Sequence, residues 1–420
     1  MLNPLLSRRD LFRLSSGLGL SILLPALDLR AATERGPARP KSLITLWMAG
    51  GPSQLETWDP HPGTKIGGPT KAIKTNVEGL SIADHFPRMA ERMDSVCVIR
   101  SLVSKEGDHE RATYMLKTGF RPAPALIHPS LSAIVAQKYD EDGCKDLAIP
   151  RIISFSPNQW PARGGFLGDQ YDAFKIFDPK ENLHNLAARV QGTRQLQRVE
   201  NLNVVEKSFA RKRAQAKATL HEETVKSALT MMTSDQLKAF KIDEEPKAVR
   251  DAYGDSQFGQ GCLAARRLVE VGVRAVEVTL DGFDTHADNF TGHALRGEKV
   301  DPAFAALIHD LKERDLWDST VVLCIGEFGR TPAINPFSGR DHWPSGFSAV
   351  VGGAGFKQGL IIGKTDPEGV AKMPEDPIEV QDLYATVLKN LGVDFARERM
   401  TPIGRPMQFS AGTPIDRLLA

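Results

Sequence analysis

The chain has 420 residues, 41% hydrophobic and 25% charged, with 53 Lys+Arg against 52 Asp+Glu. That balance excludes a disordered tail, a collagen-like repeat and a coiled coil, and a formal net charge of +1 offers no basic footprint for nucleic acid. Four cysteines in a chain this long do not make a disulfide scaffold.

The N-terminus reads as a leader. Ser7-Arg8-Arg9-Asp10-Leu11-Phe12 carries paired arginines, an apolar run follows from Leu14 to Leu27, and small residues stand at Ala31-Ala32. The run is short of the roughly 20 apolar residues that span a bilayer. The pattern predicts a twin-arginine signal peptide over residues 1–32, which engages the twin-arginine translocase and leaves no stable transmembrane span. Its removal takes away four arginines and two aspartates, so the formal charge moves from +1 to −1. Chains on that route cross already folded, often with a metal inserted, which raises the expectation of a metal site. The expected location is the periplasm or the cell surface.

A short linker, 33–41, leads to Ser42–Met48, an apolar run that reads as a buried strand stopped by Gly50-Gly51-Pro52. Val96–Ile99 is a second strand, residues 109–118 a helix closed by Gly119, and Ile149–Phe155 a third strand. Residues 181–240 are polar and nearly free of Gly and Pro, which predicts long amphipathic helices: an insertion covering the core, or a lid over a site. Beyond it the chain alternates: helix 258–271, strand 275–280, helix 301–314, strand 320–326, strand 347–351 and helix 380–391. Such alternation predicts α/β architecture with a largely parallel sheet, whose sites form beyond the carboxyl ends of the strands.

Three polar clusters fall at those ends: Asp281-Gly282-Phe283-Asp284-Thr285-His286, Gly326-Glu327-Phe328-Gly329-Arg330 and Gly339-Arg340-Asp341-His342-Trp343. Carboxylates and imidazoles together suit a divalent cation. A carboxylate at the end of a buried strand, as Glu327 is, needs a cation for a partner, either Arg330 or a metal. A salt-bridge network, with Asp341 on Arg340 or Arg330, and metal-free acid–base chemistry remain open on spacing alone. Cys262-Leu263-Ala264-Ala265-Arg266 has the bare spacing of a sulfatase formylglycine signature but lies on a core-facing helix. Gly50-Gly51-Pro52-Ser53 lacks the Lys of a phosphate loop and reads as a tight turn, with Ser53 as a nucleophile the alternative. Cys97, Cys144, Cys262 and Cys324 show no CxxC spacing and read as buried free thiols. Trp47, Trp58 and Trp343 either shape a pocket or pack in the core.

With GGPSQLETWDP near the start, then DTHADN, GEFGRTPAIN, GRDHW and DLYATVLKNLGV, the chain resembles, over most of its mature length, a bacterial family known as domain of unknown function 1501. That family is similar to the sulfatase and alkaline-phosphatase superfamily. The resemblance implies one domain, 33–420, with a three-layer alkaline-phosphatase-like α/β fold and a helical insertion at 181–240. Position by position, Glu327 stands where a metal-binding Asp ends a strand, and His342 is similar to the later histidine ligand. Asp284 and His286 resemble the Asp and His of the phosphatase branch. His109, opening HERATYMLKTGFRP, occupies the place of the formylglycine-forming residue, so the usual Cys or Ser nucleophile is absent. Gly50-Gly51 replaces the acidic pair that ends the first strand, with Asp59 or His61 as candidate substitutes.

The function expected from these residues is an exported, metal-dependent, sulfatase-like hydrolase of sulfate or phosphate esters. Asp284, His286, Glu327, Asp341 and His342 would hold one or two divalent ions (zinc, manganese or calcium), His109 would be a catalytic base, nucleophile or extra ligand, and Arg330 would offset oxyanion charge. Its partner would be an ester or glycan small molecule, and nucleic acid is not expected. The alternatives are a non-catalytic metal-containing protein that binds sulfated or phosphorylated glycans, and a structural partner of an exported complex docking through 181–240.

Overall fold

The computed structural model describes residues 41–420 except 145–146, 182, 184–185, 187–189, 191 and 211–214. The predicted signal peptide lies outside the described residues. Nine strands form one sheet: β1 (Ser42–Met48), β2 (Val96–Val103), β3 (Ile152–Phe155), β4 (Phe174–Ile176), β5 (Ala275–Leu280), β6 (Thr320–Ile325), β7 (Phe347–Gly352), β8 (Ile361–Ile362) and β9 (Ile378–Glu379). Their order is β8-β2-β7-β6-β1-β5-β3-β4, with β9 also paired to β2. All pairings are parallel except those of β7, which runs antiparallel to β2 and β6.

The central strands are apolar on both faces because both faces are covered. Ile44, Leu46 and Met48 of β1 enter one core, with Val322 and Cys324 of β6; Leu43 and Trp47 enter the other, with Val321, Leu323 and Ile325. This is strand periodicity feeding two layers at once. Seven helices matter here: α1 (His109–Thr118), α2 (Leu131–Glu141), α3 (Thr193–Ala210), α4 (Gln215–Met232), α5 (Gln257–Glu270), α6 (Asn289–Glu313) and α7 (Val380–Asn390). Apolar residues of α5 and α6 fill the first core, and those of α1, α2 and α7 the second, so the fold is a three-layer α/β sandwich. In 181–240 the described helices are α3 and α4, followed by a short 3-10 segment at Asp235–Phe240. Among the described residues no helix is long and apolar enough to cross a membrane.

Several boundaries differ from the sequence expectation. Strand β2 runs four residues further than Ile99, since β7 and β9 pair with its second half. Strand β3 starts at Ile152, beyond Pro150. The largest difference is α6, which begins at Asn289 where the sequence expectation was a start at 301. Pro302 lies inside the helix, and the polar turns before it are held by close packing. A Cβ at Gly297 would stand 2.6 Å from the His85 Cβ, and one at Gly292 would stand 2.8 Å from Thr285. The carboxylate of Asp301 accepts from the backbone nitrogens of Arg88 and Met89 at 3.1 and 2.7 Å, tying the helix to a neighbouring segment. Helix α2 was not expected, though Ser130 caps it by accepting from the Ala133 nitrogen at 3.2 Å.

Candidate metal centre

The three central strands end side by side. Met48 of β1 is level with Leu280 of β5, and Trp47 with Ile325 of β6, so the residues just beyond them converge. The Gly50-Gly51 turn closes β1 with φ of 109° and 75°, values that favour glycine. A side chain at Gly50 would overlap the backbone of Phe283 and Asp284, and one at Gly51 the ring of Phe328. The turn also supplies polar groups. Gly50 N donates to Glu327 Oε1 at 2.8 Å, while the Gly50 and Gly51 carbonyls accept from Arg330.

Above this turn three histidines surround one carboxylate. His109 opens α1, whose N-terminus is capped by Asp108 accepting from the Arg111 nitrogen at 3.2 Å. Its Nδ1 lies 2.9 Å from Glu327 Oε1 and its Nε2 lies 3.3 Å from Asp284 Oδ2. His286 Nδ1 is 2.7 Å from Asp341 Oδ1, and its Nε2 is 3.3 Å from Asp284 Oδ1. His342 sits on a two-residue strand whose register places it opposite Arg330. Its Nδ1 is 2.7 Å from the Gly107 carbonyl and its Nε2 is 3.5 Å from Asp284 Oδ1.

All three Nδ1 atoms thus face acceptors, a carbonyl or a carboxylate, and an imidazole that donates through Nδ1 leaves Nε2, here on the Asp284 side, as its ligand atom. His286 Nε2 and His342 Nε2 are 3.0 Å apart. Two Nε2 lone pairs at that distance repel unless a proton or a metal ion is shared between them. His109 Nε2 is buried without a hydrogen-bond partner, and so is Glu327 Oε2. Ligand atoms of His109, Asp284 and His342 fall within 4.8 Å of one another, a grouping that fits a metal ion. Imidazoles backed by carboxylates or carbonyls through their other nitrogen are the usual support of a metal ligand.

The charges around the cluster are fixed from below. Arg330 is fully buried; its Nε donates to Gly51 O at 2.9 Å, Nη1 to Arg340 O at 3.0 Å, and Nη2 to Gly50 O and to Asp284 Oδ1, the last at 2.7 Å. Burial pushes the Asp284 carboxyl up, but the Arg330 hydrogen bond and charge, with His109 and His286, outweigh it and hold it below the usual range. The Glu327 hydrogen bond raises the His109 pKa against the burial that lowers it, with the Glu327 and Asp284 charges adding to the rise. His342 moves the other way, lowered chiefly by burial. The Phe328 ring packs against His109 and His342, with centroids 5.0 and 4.3 Å away, and covers one side of the cluster.

The sequence from 40 to 419 matches the family model described as protein of unknown function (DUF1501). The chain belongs to this family. No curated protein matches the sequence. Among solved structures, a member of the alkaline phosphatase superfamily from Vibrio parahaemolyticus is similar at 13% identity, covering 84% of this chain and 67% of that one, with a TM-score of 0.37. The PsFucS1 sulfatase from Pseudoalteromonas sp. is similar at 11% identity, 91% and 72% coverage and a TM-score of 0.40. The periplasmic domain of EcEptC from Escherichia coli, in complex with Zn, is similar at 10% identity, 91% and 95% coverage and a TM-score of 0.38.

In this DUF1501 chain the DTHADN, GEFGRTPAIN and GRDHW stretches meet at one point. Asp284, His286 and His342 lie in the cluster with His109, while Glu327 and Asp341 stand behind His109 and His286 as acceptors. Arg330 contacts Asp284 from beneath and has no exposed surface. Ser53 has none either, and its nitrogen donates to His293 Nε2 at 2.8 Å. Asp59 pairs with Arg100 at 3.2 Å and accepts from Thr365, and His61 is bonded to Thr365 at 2.9 Å, so both are engaged away from the cluster. Trp47 and Trp58 are core residues, and Cys97, Cys262 and Cys324 are buried free thiols whose pKa burial raises. Sequence reasoning passed over the Gly107 carbonyl, Phe328 and the buried Arg340–Glu56 pair. Phe328 lies within the GEFGR stretch, which was the available signal. A cavity of about 1040 Å³ lined by Leu237, Phe240, Tyr253 and Leu263 includes none of the cluster residues.

Proposed function

We propose that this protein is an exported metal-dependent hydrolase of sulfate or phosphate esters, with the metal held by His109, His286, His342 and Asp284. The observation that carries this reading is the pair of Nε2 atoms of His286 and His342, 3.0 Å apart with both Nδ1 atoms already committed to acceptors. Three imidazoles and one carboxylate suit zinc better than calcium, which takes oxygen ligands. A metal bound there would act as a Lewis acid on an ester oxygen and lower the pKa of water. The chain's own groups prepare that site. Glu327, Asp341 and the Gly107 carbonyl fix the tautomer and ring orientation of the three histidines, Arg330 keeps Asp284 ionised, and Phe328 excludes water from one side.

A second reading, a metal-containing protein that binds sulfated or phosphorylated glycans without turning them over, is favoured by one observation. The helix start that resembles the sulfatase nucleophile position holds His109, and its Nε2 faces Asp284. Metal analysis of the purified protein and of the Asp284→Ala and His342→Ala variants, with a screen of sulfate and phosphate ester turnover on the same samples, tests both. The hydrolase reading expects bound metal in the wild type, its loss in both variants and turnover that follows it. Metal without turnover supports the binding protein, and a wild type that takes up no metal overturns both.

A further inference from the structure

Beside the histidine centre lies a second arrangement of charge that the fold does not require. Glu106, in the segment between β2 and α1, is 5% exposed. Its carboxylate accepts from Arg111 Nε at 2.8 Å and Arg111 Nη2 at 3.0 Å, and also from Arg121 Nε. These bonds hold the Glu106 carboxyl below its usual range, the Arg111 hydrogen bond foremost. The two arginine side chains are 48% and 58% exposed. Arg111 Nη1 and both Nη atoms of Arg121 make no further hydrogen bond among the described residues.

One arginine would neutralise Glu106. The second places like charges side by side and leaves outward N–H donors with only water to serve. Helix capping does not explain the pair, because Asp108 caps the start of α1 through the Arg111 backbone and Gly119 closes its end. The Asp108 charge also acts on Arg111, although its carboxylate is exposed and hydrogen-bonded to the Arg111 backbone nitrogen. The place in the chain is informative. Glu106 directly precedes Gly107, whose carbonyl holds His342, and Arg111 follows His109 by two residues on α1. Residues two apart on a helix do not face each other, so Arg111 does not share the direction of His109 into the centre.

We infer that Arg111 and Arg121, clamped by Glu106, bind a second oxyanion, a sulfate or phosphate group, on the same substrate molecule whose ester sits at the histidine centre. The substrate class is then a polyanion with at least two such groups, and the planar guanidinium donors suit oxyanions in paired hydrogen bonds. The inference rests on the hydrolase reading for the role of the neighbouring centre.

Titration calorimetry of the full chain, metal-loaded and chelator-treated, tests it. The probes are a heparin-derived oligosaccharide, a short-chain polyphosphate and a monosulfated glucose. The Arg111→Gln/Arg121→Gln double variant is expected to lose about tenfold or more in affinity for one of the two polyanions while its affinity for the monosulfated sugar stays. The Arg111→Lys/Arg121→Lys variant, which keeps the charge but not the fork of donors, is expected to recover only part of that loss. Loss on the oligosaccharide identifies a sulfated glycan, and loss on polyphosphate a phosphate polymer. Equal affinity of wild type and the Gln variant for both polyanions overturns the inference, as does full recovery by the Lys variant, which would mean net charge alone. Metal content and turnover in the same samples report on the hydrolase reading separately: arginine-dependent polyanion binding without metal or turnover overturns that reading and leaves the anion site standing.

Discussion

At the residue scale, the carboxylates that stand behind the histidines have the clearest consequences. Glu327 is buried and holds His109 Nδ1, so Glu327→Gln removes the charge that orients that imidazole while keeping its shape. Metal affinity is expected to fall about 10- to 100-fold, read by competition with a chromogenic chelator. Asp341→Asn is expected to act on His286 in the same direction. Acid should act first through His109. Its pKa is raised, so a proton competes with a metal at that nitrogen at a higher pH than for an ordinary histidine, and metal affinity measured against pH should begin to fall above the usual imidazole range.

At the element scale, the β1 turn and the loop after β6 are built against each other. Gly50 adopts a φ of 109° and a Cβ there would run into the Asp284 backbone, so Gly50→Ala forces the β5 end outward. It is expected to destabilise the fold by about 2 kcal/mol or more, seen as a lower urea midpoint, and to cost metal binding because Asp284 moves. The loop is anchored by Arg340, which is fully buried and donates to Glu56 from Nε at 3.1 Å and Nη2 at 2.9 Å, and also to the carbonyls of Thr331, Pro332 and Ile66. Glu56→Gln leaves that guanidinium charge uncompensated in the interior. Breaking such a pair costs roughly 3–5 kcal/mol, a loss that equilibrium unfolding would register directly.

At the scale of the whole molecule, a buried histidine outside the cluster sets part of the acid limit of stability. His293 on α6 is fully buried, accepts from Ser53 N through Nε2, and burial pushes its pKa down to about 4. The unfolded chain protonates that imidazole near pH 6.5. The unfolded state therefore binds more protons between about pH 6.5 and pH 4. Stability is full above the upper value and is lost as pH falls through this window, by on the order of 3 kcal/mol. His293→Gln, which keeps an acceptor for Ser53, is expected to flatten the slope of unfolding free energy against pH between those values.

The sequence by itself determined the layered α/β plan, because runs such as Ile44-Thr45-Leu46-Trp47 and Val321-Val322-Leu323-Cys324 are apolar on both sides and can be satisfied only by helices on both faces. It also gathered Asp284, His286, Glu327, Asp341 and His342 into a pool, since those carboxylates and histidines followed strands that had to end on one edge, whereas His109 entered only through the family resemblance. It did not determine the length of α6, where Pro302 is a strong local stop signal and the turns before it are held by glycine contacts with His85 and Thr285. Nor did it divide the pool. Glu327 and His342 carry the same weight in a motif, and only the tertiary structure places one behind an imidazole and the other around Asp284. The division is a matter of a few ångströms between side chains brought from four separate segments. Sequence spacing reports which strand end a residue leaves from, whereas the direction of its side chain is set by the turn, the register and the buried arginine beneath it.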